Sequence, residues 1–157
     1  MYALWKYPVH FLAYGFGAGL VPSLSGTFGA LLGAVVFLLI SRLKAAAYVI
    51  VTGILFLAGI FICGQTARDL GAVDPGVIVF DEIVGFLVAM YLVPRKFEWV
   101  VSGLVIFGVL DAWKPWPIYL FEEIPEIGTA IMADDLVAGL FTLVILNTAR
   151  RFISSPP

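Results

Sequence analysis

Long apolar runs separated by short polar or basic stops dominate the chain. The first runs from Phe28 to Ile40 and is stopped by Ser41-Arg42-Leu43-Lys44. The second is Ala45 to Ala67. The third, Val77 to Val93, is stopped by Pro94-Arg95-Lys96. The fourth, Trp99 to Trp113, meets Pro115 and Pro117, and the fifth, Ile131 to Leu146, leads to Arg150-Arg151. A bilayer core of ~30 Å takes about 20 helical residues. The second run reaches that length. The first and fourth are short and fit only with tilt, local thinning or partial insertion. Before Gly26 the chain is also apolar, but Gly15, Gly17, Gly19 and Pro22 interrupt it. Residues 1–25 are therefore expected to form an interfacial or re-entrant piece. Asp74-Pro75 reads as an N-cap followed by a proline in the first turn. Thr129 reads as the N-cap of the last helix. Lys114, preceding a proline, marks the end of the fourth. The pattern predicts one all-α domain over residues 1–157, a polytopic membrane helix bundle. It would have about four to five membrane segments and a flexible tail over residues 152–157.

Composition supports lipid as the solvent. The 157 residues are 62% hydrophobic and 13% charged, against about 25% charged in a typical soluble domain. A small globule keeps much of its surface exposed and cannot hide that much apolar area from water. The net charge of −2 provides no basic field for nucleic acid, so no nucleic-acid partner is expected. Cys63 is the single cysteine, which excludes an intramolecular disulfide and any zinc-type cysteine spacing. Lys6 and the apolar stretch after it superficially resemble a signal peptide. No small-residue cleavage site followed by a polar chain is present, so the segment is read as retained.

The acidic residues change the picture most. Asp81 and Glu82 stand near the start of the third run, Asp111 at the end of the fourth, and Asp134 and Asp135 near the start of the fifth. If these three runs each cross fully, parity places all three groups at one face, here called side A. Ser25-Gly26-Thr27 and Asp74 fall on the same side. A carboxylate at the centre of a membrane helix costs about 2.5–3.5 kcal/mol on insertion scales. Five near one surface need compensation, and Lys114 and Arg68 are the main cations on that side. A divalent cation held by several carboxylates is the economical alternative, and an all-oxygen set favours magnesium, manganese or calcium. Adjacent acids lie about 100° apart on a helix, so each pair is expected to divide, with one member facing the bundle. Gly85 follows Asp81 by four residues and Gly139 follows Asp135 by four, which permits close helix approach on the acidic faces. Asp111 and Lys114 are spaced to share a helix face, and Lys114 could meet a phosphate as a point charge.

These residues carry a resemblance. Gly26-Thr27-Phe28-Gly29, Asp74-Pro75 with Val79-Phe80-Asp81-Glu82-Ile83-Val84-Gly85, Asp111-Ala112-Trp113-Lys114-Pro115-Trp116-Pro117-Ile118 and Gly128-Thr129-Ala130-Ile131-Met132-Ala133-Asp134-Asp135-Leu136-Val137-Ala138-Gly139 resemble the phosphatidylglycerophosphatase A family. The match runs in order from about Gly17 to Gly139. Ser25 departs from the family's frequent proline and Ala30 from its frequent serine. The resemblance implies a multi-pass protein of the bacterial cytoplasmic (inner) membrane that removes the terminal phosphate of phosphatidylglycerophosphate, a phospholipid substrate, and requires Mg2+. It implies Asp81, Glu82, Asp111, Asp134 and Asp135 as metal ligands. It further implies catalytic duty for Asp81, Asp111, Asp134, Lys114 and Thr27, and substrate contact for Lys114, Thr27 and Asp74.

Other chemistries lack their residues. Cys63 and Arg68 enclose four residues, one too few for a cysteine phosphatase. His10 is the single histidine and cannot supply a histidine pair. The Asp-x-Asp nucleophile string and the Asp-Gly-x2-Ala-Arg string of CDP-alcohol phosphatidyltransferases are both missing. A cation channel or transporter using the carboxylates as an ion path is the alternative from another class. Acids at one end of the helices, rather than strung through the depth, favour a surface site. Orientation is open. Arg42, Lys44, Arg95, Lys96, Arg150 and Arg151 on side B place that side in the cytoplasm by the positive-inside rule, whereas the family's substrate implies a cytoplasmic side A.

Overall fold

The computed structural model describes residues 7–21 and 23–154, and every regular element among them is helical. Lys6, Pro22 and the tail residues 155–157 lie outside the described residues, so the expectations placed on them stand outside it too. The elements are α1 (Pro8–Ala13), a 3-10 segment (Gly15–Leu20), α2 (Ser25–Ile40), α3 (Ala45–Leu70), α4 (Phe80–Ala89), α5 (Phe97–Trp113), a second 3-10 segment (Ile118–Glu123) and α6 (Ile127–Ser154). All five predicted runs are helices. Their lengths differ from expectation in ways that matter.

Among the described residues, two helices are long and apolar enough to cross a membrane, rather than four to five: Ala45–Leu70 and Ile127–Ile153. The last run extends well beyond Ile131–Leu146 at both ends. The third run contracts. Of Val77–Val93, only the ten residues of α4 are helical, about 15 Å at 1.5 Å per residue and half a hydrocarbon core. Its apolar character has another cause. Phe80, Ile83, Val84, Phe86, Leu87 and Ala89 are all buried, because α4 lies inside the bundle against α2, α3, α5 and α6. A helix that is hydrophobic all round can be buried in protein as readily as in lipid.

Asp74-Pro75 does not open this helix. The cap position is Val79, with φ −139°, and residues 74–79 form turns that include Ile78 N–H donating to Pro75 O. The far end of α4 is tied to α6. Asn147 Nδ2 donates to Tyr91 O at 3.2 Å, and the Arg150 guanidinium donates to Leu92 O. Tyr48 of α3 donates its hydroxyl to Leu87 O at 2.7 Å. The Tyr48 bond occupies a carbonyl that the helix end leaves without a partner, and the other two hold the turn that follows.

Two glycines set a close crossing of α4 and α6. A Cβ added at Gly139 would lie 2.4 Å from Gly85 O, and one added at Gly85 would lie 2.8 Å from Asp135 O. The glycines expected on the acidic faces thus pack α4 directly on α6. The N-terminal segment packs in as well. Val79 N–H donates to Ala13 O at 2.9 Å. His10 Nδ1 is 2.9 Å from Thr66 Oγ1, and its Nε2 is 3.3 Å from Asp69 Oδ2. The outer surface is strongly apolar. Leu39, Ile50, Leu57, Phe61, Val105 and Val144 are exposed. Only 22% of the most apolar 18-residue stretch of α3 is buried, so α3 is no core helix of the ordinary soluble kind.

Candidate active site

The turn at 74–79 delivers the chain to the start of α4, so that Asp81 and Glu82 occupy its first turn. The positive end of a helix dipole favours carboxylates there. On α6, the Gly85–Gly139 contact holds Asp135 against the same end of α4. One carboxylate oxygen from each of Asp81, Glu82 and Asp135 lies within 4.8 Å of the other two. Asp111, at the end of α5, joins from the side as a like-charged neighbour of Asp135. The first turn of α2 closes the group: a Cβ at Gly26 would lie 3.1 Å from Glu82 Oε1 and 3.8 Å from Asp111 Oδ2.

Three oxygens of this cluster have no hydrogen bond although they are buried: Asp81 Oδ1, Glu82 Oε2 and Asp135 Oδ2. Asp81 is 8% exposed and Asp135 3%. Buried polar atoms without partners are costly, and buried like charges more so. A hard cation relieves both costs at once. Oxygens spread over less than 5 Å can reach an ion at the 2.0–2.6 Å bond lengths of magnesium or calcium after small adjustment. The donor set is all oxygen, which is the right chemistry for such an ion.

Lys114 organises a second group beside the first. It caps α5 in the left-handed region, at φ 41° and ψ 58°, and so leaves the helix face expected to be shared with Asp111. Its ammonium is 2.5 Å from Asp134 Oδ2, 2.6 Å from Glu122 Oε1 and 4.0 Å from Asp74 Oδ2. Burial works against its charge, but the hydrogen bonds to Asp134 and Glu122 outweigh it and hold the ammonium above the usual lysine range. Asp134 also accepts the Asp135 N–H through Oδ1 at 2.9 Å.

The pairs thus divide differently from expectation. Asp134 and Asp135 separate, one to Lys114 and one to the cluster. Asp81 and Glu82 both enter the cluster, because α4 has protein on every side. Arg68 does not serve the cluster. It pairs at 3.5 Å with Glu126, which caps α6 by accepting the Gly128 and Thr129 N–H groups at 3.1 and 2.6 Å. Thr129 is therefore inside α6 and is not its cap. It donates its own hydroxyl to Glu126 at 2.6 Å, and this contact above all holds the Glu126 carboxyl below the usual range. Among the described residues, Thr27 makes no hydrogen bond to an acid of the cluster. It lines a cavity of about 260 Å³ between α2 and α5 that Asp111 also lines. A separate cavity of about 220 Å³ is lined by Asp74, Glu122 and Asp134 among others.

Glu122 and Glu126 escaped the sequence reading. Both sit in the connection after Pro117, which reads only as a helix stop. The available signal was their place on side A, a few residues from Lys114 and from the last helix.

Residues 11–150 match the family model described as PgpA: Phosphatidylglycerophosphatase A. An Escherichia coli (strain K12) protein named phosphatidylglycerophosphatase A is 41% identical over 140 residues, covering 88% of this chain and 81% of its own. The Haemophilus influenzae protein of the same name is 36% identical over 141 residues, 88% and 86% of the two chains. A Bacteroides thetaiotaomicron protein described provisionally as a phosphatidylinositol-3-phosphatase is 31% identical over 147 residues, 88% and 91%. No solved structure matches the chain.

Proposed function

The chain belongs to the phosphatidylglycerophosphatase A family, and on that premise we propose that it hydrolyses phosphatidylglycerophosphate to phosphatidylglycerol and phosphate. In this reading it works in the bacterial cytoplasmic membrane, with α3 and α6 as spans, and requires magnesium. The observation that carries the magnesium reading is the set of three buried, unpartnered carboxylate oxygens on Asp81, Glu82 and Asp135.

Those three residues would hold the ion, with Asp111 at its edge. Bound magnesium supplies Lewis acidity toward phosphoryl oxygens and toward water. The remaining work falls to the chain. Hydrolysis joins a water oxygen to phosphorus, breaks the bond from phosphorus to the terminal glycerol oxygen, and returns a proton to that oxygen. Lys114 brings a fixed positive charge beside the cluster, where it can offset the charge of the phosphate. Asp134, Glu122 and Asp74 hold that ammonium in place. The N-terminal turn of α2, with Thr27, supplies backbone N–H groups and a hydroxyl at the opposite wall.

The test is phosphate release from phosphatidylglycerophosphate by purified protein in mixed micelles, with magnesium titrated against a chelator. Release that rises with magnesium and stops on chelation is expected. Undiminished release in chelator would reject the magnesium assignment. Absence of release by folded protein would reject the enzyme.

A further inference from the structure

The acidic cluster is closed off from lipid on most sides by α4 and its neighbours, so a lipid phosphate needs a route to it. A cavity between α2 and α5 reaches from Asp111, beside the cluster, to apolar residues of the outer surface. Along α5 it is lined by Leu104, Gly108 and Asp111, and along α2 by Leu31, Ala30 and Thr27. Leu104, Gly108 and Asp111 stand at the i, i+4, i+7 spacing of one helix stripe. That stripe runs about 10 Å along the axis, from an apolar side chain to a carboxylate of the site. The facing stripe on α2 changes in the same direction, from Leu31 to the Thr27 hydroxyl. Polarity therefore rises along the cleft toward the cluster, as it does along a phospholipid from acyl chain to headgroup. At its apolar end the cleft reaches exposed Leu31, and one turn further along α2 Val35 is exposed as well.

We propose that this cleft admits the substrate sideways from the bilayer, with the phosphate reaching the acidic cluster past Asp111 and the upper acyl chain between Leu31 and Leu104. Gly108 keeps the cleft open. A Cβ at Gly108 would meet no atom within 4 Å, so the space beside it belongs to the cavity rather than to packing. A glycine in mid-helix costs roughly 1 kcal/mol relative to alanine, and here the open cleft is what it provides. The larger apolar cavity of about 320 Å³, against α3 and α6, is lined by Thr52, Gly53, Leu140 and Leu143 among others, and no acid reaches it. Gly53 is equally open, which makes it a matched control.

This inference rests on the phosphatase reading, and the experiment separates the two. Full-length wild type, Gly108→Leu and Gly53→Leu are compared on long-chain phosphatidylglycerophosphate and on a water-soluble short-chain analogue. Thermal unfolding checks each variant, and Gly108→Ala gives a milder second variant. Gly108→Leu is expected to lower kcat/KM for the long-chain lipid by about tenfold or more, sparing the short-chain analogue, because it removes room for the chain. Gly53→Leu should match wild type on both. Full long-chain activity in folded Gly108→Leu would overturn the proposal. So would an equal loss on both substrates, or a long-chain loss in Gly53→Leu instead. If wild type releases no phosphate, the phosphatase reading fails. The cleft is then judged by photolabelling with a diazirine-bearing phosphatidic acid. Label on α2 and α5 that Gly108→Leu abolishes supports it, and label elsewhere overturns it.

Discussion

Carboxylates within 4.8 Å of one another, with buried oxygens lacking hydrogen bonds, repel in the absence of a cation. Asp81→Asn or Asp135→Asn removes one charge from that arrangement. Each variant is expected to unfold in chelator at the wild-type temperature or above. The rise in melting temperature that magnesium gives wild type should shrink in both. Phosphate release should fall by more than about 100-fold, since even residues outside the ligand shell cost 10–100-fold when lost. Lys114 is the opposite case, a cation whose removal leaves Asp134 and Glu122 unpaired. Lys114→Met is expected to cost about 3 kcal/mol in denaturant unfolding, the low end for breaking a buried pair. The Lys114 ammonium is held above its unfolded range. Its contribution is therefore present below about pH 10 and lost only as pH rises through the higher folded value. At this scale the sequence exposed the acids well, because an ionisable group in an apolar run is conspicuous. It did not expose their partners. Glu122 lies in a connection with no periodicity, and only the fold returns it to Lys114.

Helix ends and crossings hold these side chains in place. Glu126 caps α6 through three hydrogen bonds. Glu126→Ala is expected to lower stability by about 1 kcal/mol, a typical N-cap loss, read from thermal or denaturant unfolding. Its carboxyl is held below the unfolded value. The contribution is therefore present above about pH 4.3 and disappears as pH falls through the lower folded value, so the gap between wild type and variant should close in acid. At the α4–α6 crossing, Gly139→Ala sets a methyl 2.4 Å from Gly85 O. The two helices must part, at a cost of about 1–3 kcal/mol. Since Asp135 rides on that crossing, activity should fall with stability. The glycine spacing was readable from the chain, whereas the start of α4 was not. Asp74-Pro75 has the composition of a helix start, yet the bond from Val79 to Ala13 fixes the backbone five residues later. That bond joins segments 66 residues apart, and no local pattern encodes it.

For the molecule as a whole, the exposed apolar faces of α2, α3, α5 and α6 need a non-aqueous neighbour. The expressed protein is expected in the membrane fraction, resisting alkaline carbonate extraction and requiring detergent for release. Recovery in the soluble fraction without detergent would contradict the membrane reading. The helical class, the apolar surplus and the identity of the acids are legible in the chain alone, because these depend on composition and on periodicity within single segments. The chain also carried the family resemblance, which the comparisons bear out. The tertiary structure decided which apolar runs meet solvent and which meet protein. Hydropathy records only avoidance of water, and the Val77–Val93 run avoids water by lying inside the bundle. Tertiary packing likewise decided that Asp81, Glu82 and Asp135 converge while Asp134 turns to Lys114. Convergence depends on where helices cross, and the crossing is set by contacts between residues far apart in the chain.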